Sequence, residues 1–170
     1  MQPADRVAPL ERVGGAPLHI ALVEPEIPPN TGNVARLCAA TGCALHLIEP
    51  LGFRIDDREL KRAGLDYWDK LDIVLHASLE QFLEATSELR HWFLSAHAQT
   101  PYNAVQFQSG DVLVFGKETK GLPKDLLARH PAQSLRIPVR PDMVRSLNLS
   151  TAVGIVTYAA LERLQFPQMK

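Results

Sequence analysis

The chain has 170 residues and a formal net charge of −1, with 46% hydrophobic and 22% charged residues. That length and balance suit one soluble globular domain with a core of its own and leave little room for a second. They exclude a uniformly basic glove for nucleic acid and, because no apolar run is long enough to span a bilayer, a helical membrane protein; local basic patches stay open.

Residues 1–15 mix charges with prolines and glycines, which is not a signal peptide; they read as a disordered leader before a single domain over residues 16–170. Leu18 to Val23 is an apolar run ending in Glu-Pro, a buried strand. EPEIPPNTGN follows as a rigid loop, with three prolines and a glycine. Asn30 or Thr31 then caps a helix from Asn33 to Thr41 that Gly42 ends. Ala44 to Ile48 is the second strand, so the first thirty residues of the domain form a βαβ unit and imply a parallel sheet.

Asp57 to Ala63 reads as a short charged helix, Ile73 to Leu75 as the third strand, and Ser78 to Leu89 as an amphipathic helix opened by Ser78. Trp92 to Ser95 is the fourth strand, Ala96 to Gly110 a polar loop and Asp111 to Phe115 the fifth strand. A glycine-bounded loop leads to a helix from Pro123 to Ala128; Leu135 to Ile137 is the sixth strand. Ser150 to Leu164 closes the chain, with Val153, Val156, Ala160 and Leu164 along one face. The alternation predicts an α/β domain: a mainly parallel six-stranded sheet with helices on both faces.

In such sheets ligands bind beyond the carboxyl ends of the strands. Three loops there are rich in polar residues or glycine: EPEIPPNTGN, FGKETKGLP and IPVRPDMVRSLNLS. The chain contains no GxGxxG after the first strand, no GxxxxGK[ST] and no GxSxG, so neither a common nucleotide site nor a hydrolase elbow is indicated. Cys38 and Cys43 read as reduced, buried thiols of a cytoplasmic protein. The six histidines lack metal-ligand spacing and read as packed or surface residues; no metal is implied.

Within RSLNLS, Ser146, Asn148 and Ser150 supply three candidate caps where one suffices, with Arg145 beside them. Either capping or a ligand accounts for them. Arg36 lies three residues after Asn33, so the two share a helix face near its start; a solvated polar face is the plain alternative. Glu118 and Lys120 flank Thr119 between two glycines, in a turn that suits an adenosine, a carboxylate or a phosphate equally. Arg54, Arg58, Lys61 and Arg62 form one basic group, and Lys117, Lys120, Arg140 and Arg145 another; either binds phosphates or is simply solvated. Tyr67 and Trp68 suit base stacking or packing.

The stretches EPEIPPNTGNVARLCAATGCALHLIEPLGF, KRAGLDYW, FGKETKGLP and IPVRPDMVRSLNLSTAVGIVTYAAL, in that order, resemble the SPOUT class of RNA methyltransferases, and within it the small TrmL/YibK-type enzymes that 2′-O-methylate the wobble nucleotide of tRNA. The resemblance covers Leu18 to Leu164. It implies a deep C-terminal trefoil knot, a homodimer, tRNA as substrate and S-adenosylmethionine held mainly by main-chain groups. Carried across by position, the cofactor residues are Ser95, Gly116, Glu118, Leu122, Ile137, Ser146 and Leu147. The catalytic set is Arg36, Asn30, Ser146 and Asn148, with Arg36 beside the target ribose. Lys117 and Lys120 depart from the family, which usually has a proline or small residue and an arginine there. Another tRNA position, an rRNA target, or a catalytically silent knotted RNA-binding dimer are the alternatives.

Overall fold

The structure is a computed structural model that describes residues 10–55, 58, 62, 71 and 73–170. Seven strands are described: β1 (His19–Val23), β2 (Ala44–Ile48), β3 (Ile73–His76), β4 (His91–Leu94), β5 (Thr100–Pro101), β6 (Val112–Phe115) and β7 (Ser134–Arg136). They form one sheet in the order β3-β2-β1-β6-β4-β7-β5, and every pairing is parallel.

The sequence predicts six strands; the seventh is β5, inside the expected polar loop. It is two residues long and pairs only with Leu135 and Arg136 of β7. A proline is tolerated there because β5 is an edge strand, where a missing N–H breaks no ladder. So short a strand carries no periodic signal.

Among the described residues four α-helices are complete, the last of them after the final strand: α1 (Pro28–Thr41), α2 (Leu79–Ala85), α3 (Lys124–Arg129) and α4 (Leu149–Arg163). Helix α1 begins five residues earlier than expected, and neither Asn30 nor Thr31 caps it. Pro28 and Pro29 occupy its first positions, where their fixed φ suits the helix and no N–H is missed. Ile27 stands at the cap without a side-chain bond, while Gly42, at φ 73, closes the other end through its N–H to the Cys38 carbonyl.

Ser78 caps α2 as expected, accepting from the Gln81 N–H, but the helix stops at Ala85 rather than Leu89. There the Thr86 hydroxyl donates to the Phe82 carbonyl. Helix α4 is capped by Asn148, not by Ser150. The expected helix Asp57 to Ala63 lies outside the described residues except for Arg58 and Arg62, which are helical; Lys61, Tyr67 and Trp68 also lie outside them. Of residues 1–15, the first nine lie outside the described residues, and Leu10–Val13 form a 3-10 turn whose Val13 packs on Ala44 and Val74.

Strand alternation divides the core between the two faces of the sheet. On one, Ile20, Leu22, Leu45, Leu47 and Leu113 meet α1 through Val34 and Cys38, and α4 through Val153, Val156 and Ala160. On the other, Ala21, Val23, Ile48, Phe93 and Val114 meet Phe82 of α2 and Leu126 of α3. Cys38 and Cys43 are free and buried, and burial pushes both thiols above their usual range. At the start of β6 the buried Asp111 carboxylate accepts from Arg90, the Trp92 indole and the Gln108 N–H.

The second face also carries a row of buried imidazoles. His19 Nδ1 lies 2.9 Å from His46 Nε2, and His46 Nδ1 lies 3.0 Å from His76 Nε2, so neighbouring rings on β1, β2 and β3 are hydrogen-bonded. Phe82 packs edge-on against His46, His76 and His91. Three neutral rings satisfy both bonds, because each supplies one donor and one acceptor. Burial, then repulsion from the neighbouring imidazoles, lowers His19 to about 4 and His46 to about 3. The unfolded chain takes up these protons near pH 6.5, whereas the native protein refuses them until about 4 or 3. Stability is therefore complete above pH 6.5 and lost as pH falls, on the order of 3 kcal/mol for each of the two by pH 4. Urea midpoints measured down this range should fall steadily, and His46→Leu should flatten the fall.

Candidate functional site

Strand β1 is the point where the chain's progress across the sheet reverses: β2 and β3 lie to one side, β6, β4, β7 and β5 to the other. Such a switch opens a crevice at the carboxyl ends of the strands. The loops Glu24–Ile27, Gly116–Pro123 and Ile137–Leu147 all leave the sheet at those ends.

Gly116 follows β6 directly. A Cβ on it would overlap the backbone of Gly121 and Leu122, so no larger residue fits. The chain turns back on itself between Lys117 and Gly121, closed by the Gly121 N–H on the Lys117 carbonyl at 2.8 Å, with Gly121 at φ 68. Lys117 Nζ pairs with the Glu24 carboxylate at 2.6 Å, which also raises the lysine's pKa. Glu24 itself is held at φ 50, an uncommon conformation for a residue with a side chain.

Carboxylates are exchanged between this turn and the loop after β1. Glu26 accepts from the Thr119 N–H and hydroxyl. Glu118 reaches the other way and accepts from the N–H groups of Glu26 and Ile27, at 2.8 and 3.0 Å, and from Asn30 Nδ2 at 3.2 Å. Helix α1 has no cap of its own, so Glu118 provides from a distant loop the negative charge that a helix start favours.

From Asn30 the network continues to α4. Asn148 Nδ2 donates to Asn30 Oδ1 at 3.0 Å, and Asn148 Oδ1 accepts from the Ser150 N–H and hydroxyl and the Thr151 N–H. Ser150, read from the sequence as a cap, serves the residue that caps.

Of the expected site residues, Asn30, Asn148 and Glu118 are thus brought into one hydrogen-bonded joint. Arg36 is exposed on α1, as is Asn33, while Val34 and Ala35 between them are buried, so the pair shares a face as expected. Ser146 is exposed in the last loop. The Ser95 hydroxyl accepts from the His97 N–H, and its own N–H goes to the Leu135 carbonyl. The Leu122 side chain points into the core, packing with Ala21 and Val114, and leaves only its main chain for a ligand. The main-chain groups of Gly116, Ile137 and Leu147, all partly buried, bond to no other described residue. Main-chain polar groups in that position are left for water or a ligand.

Glu24 and Glu26 escape the sequence reading. Their only signal is the alternation of acids in EPE against that of bases in GKETKG, and nothing in the chain's order shows that the two stretches meet. A cavity of about 560 Å³ lies at the opposite ends of the strands and is lined by Gly15, Pro17, Cys38, Cys43 and Met169. Its thiols are pushed toward the protonated form and it holds none of the residues above, so the crevice and not the cavity is the chemically equipped site. Glu118→Gln would set its amide NH2 against one of the two main-chain N–H groups, and should lower the unfolding free energy by about 1–2 kcal/mol in urea titrations.

Comparison with known proteins identifies the family. Residues 17–158 match the model of the SpoU rRNA Methylase family. The chain is 50% identical over 151 residues to the tRNA (cytidine(34)-2'-O)-methyltransferase of Escherichia coli strain K12, covering 88% of this chain and 96% of that one. A solved structure described as giving insight into 2-OH methylation of C/U34 on tRNA superposes with a TM-score of 0.82 at 50% identity, covering 87% of this chain and 96% of the other. An AdoMet-bound rRNA methyltransferase from Sinorhizobium meliloti gives a TM-score of 0.82 at 25% identity, over 94% of this chain and 62% of that one. With the match running from before β1 into α4, the chain belongs to the SpoU rRNA methylase family.

Proposed function

We propose that this protein is an S-adenosylmethionine-dependent tRNA methyltransferase that modifies the ribose 2′-hydroxyl of the wobble nucleotide, cytidine or uridine 34. The observation that carries the reading is the set of partly buried, unbonded main-chain groups at Gly116, Ile137 and Leu147, set beside the joint of Glu118, Asn30 and Asn148. The likeness to the Escherichia coli relative over nearly its whole length supports the substrate. The reading includes a homodimer with a C-terminal trefoil knot, acting in the cytoplasm; among the described residues no helix is long and apolar enough to cross a membrane.

The donor set fits the cofactor. An adenosine needs hydrogen-bond partners on its ring edge and ribose, and main-chain groups at strand ends supply them without any charged side chain. When bound, the cofactor supplies an electrophilic methyl group. Ser95, Gly116, Ile137, Ser146 and Leu147 would hold it through their main chains, with Leu122 contributing its main chain too. The Glu118 carboxylate is bonded to the start of α1, and it would shape the pocket by fixing the turn that follows Gly116.

Arg36 projects from the helix that Glu118 and Asn30 anchor, so it is held relative to the cofactor loops. A guanidinium keeps its proton at neutral pH and is a donor only. Its role is therefore to bind the phosphate beside the target ribose and to set that phosphate to polarise the 2′-hydroxyl, whose proton leaves as the oxygen takes the methyl group. Ser146, exposed in the loop before α4, would hydrogen-bond the ribose. Asn30 and Asn148 position the two helices that carry these groups, since each side-chain amide is already bonded within the protein.

Isothermal calorimetry should detect S-adenosylhomocysteine binding; no heat at millimolar ligand would remove the cofactor assignment. Arg36→Ala should keep that affinity and lose about a hundredfold in methyl transfer to total tRNA, the scale of losing one preorganised charge contact. Mapping the labelled ribose decides the position: methylation away from nucleotide 34, or unchanged turnover in the variant, would reject the proposal as stated.

A further inference from the structure

Among the described residues five large apolar side chains are exposed: Ile27 at 44%, Met143 at 70%, Val144 at 48%, Tyr158 at 44% and Phe166 at 39%. They fall into two groups. Tyr158 and Phe166 face one another, ring centroids 6.3 Å apart, at the far end of α4. The other three lie on the two segments that the Asn30–Asn148 bond joins, Ile27 just before α1 and Met143 with Val144 in the loop before α4.

The loop itself is a turn, with the N–H groups of Met143 and Val144 on the Arg140 carbonyl at 3.1 and 3.4 Å. Every residue from 141 to 146 is exposed. The turn sets two apolar side chains at its tip with an arginine on each side. Among the described residues Arg140 pairs with Asp142, at 3.6 Å, with both side chains mostly in solvent. A pair that exposed contributes little and is readily exchanged for another anion. Arg145 makes no hydrogen bond or ion pair with any described residue.

The chemistry of the tip selects its occupant. The buried centre of a protein interface is depleted of charge, which fits poorly with two arginines bracketing a two-residue apolar step. Unpaired RNA repeats, at each nucleotide, an anionic phosphate and the apolar face of a base. Methionine is suited to such a face, because its flexible thioether adapts to a ring and its sulfur is attracted to aromatic edges.

We infer that Met143 and Val144 form a base-binding tip, on which an unpaired base of the RNA loop carrying the target ribose rests while Arg140 and Arg145 hold the flanking phosphates. The inference rests on the tRNA reading above and adds a substrate-positioning site to it. It lies outside the cofactor set and directly precedes Ser146, so a base seated there would fix the strand on the approach to the ribose.

The test uses the full-length protein and unmodified tRNA at fixed salt. The double variant Met143→Ser/Val144→Ser should melt like wild type, bind S-adenosylhomocysteine equally and sediment identically, yet bind tRNA about fivefold more weakly. Met143→Trp should bind tRNA at least as tightly as wild type, because a larger ring stacks better, whereas a tight packing contact would be spoiled by it. A fully paired RNA duplex, whose base faces are hidden, should be indifferent to both changes. Wild-type tRNA affinity in the double variant, equal weakening on duplex, or a shift in sedimentation that assigns the tip to a contact between copies would each overturn the inference. Methyl transfer by the wild-type protein is assayed alongside, so failure of the enzymatic reading shows up there, separately from the binding result.

Discussion

The carboxylate of Glu118 holds together elements that the chain order keeps apart. It takes two main-chain N–H groups at the start of α1 and the side-chain amide of Asn30, across separations of 88 to 92 residues. Asn30 passes the connection to Asn148, 118 residues on, which caps α4. Every link uses both ends of its side chain. A network in which each member is satisfied specifies one arrangement, since losing any link strands a partly buried partner. Helix α1 needs this support because its first turn begins with prolines and has no capping side chain.

That joint stands at the place in the sheet where an α/β fold opens toward a ligand. Reversal of strand order at β1 separates the loops enough to leave a crevice, and the exchanged carboxylates of Glu26 and Glu118 keep its two walls in register. The proposed cofactor pocket would be built from main-chain groups beside a glycine that admits no Cβ. A main-chain pocket has no side-chain signature, which is why the usual nucleotide fingerprints are missing without the chemistry being excluded.

The face of the sheet covered by α2 and α3 contains the most unusual packing of the core. Imidazoles from β1, β2 and β3 are bonded in a row and closed over by Phe82. They are satisfied as neutral rings, and their exclusion of protons ties stability to pH while the crevice and its arginines lie elsewhere.

The chain's own pattern determined the α/β class, the parallel sheet, six of the seven strands and the approximate helices, because alternation along strands and helical periodicity are local properties of the residues. It also singled out Asn30, Arg36, Glu118, Ser146 and Asn148, since polar residues clustered at strand ends stand out against apolar runs. The family followed from the order of four stretches, none of which is decisive alone. The tertiary structure alone decided what these residues do to one another: that Glu118 caps α1, that Asn148 and not Ser150 caps α4, that Glu24 and Glu26 belong to the joint, and that β5 exists at all. Each depends on contacts between residues far apart in the chain, and hydrogen bonds between distant loops leave no period in a sequence.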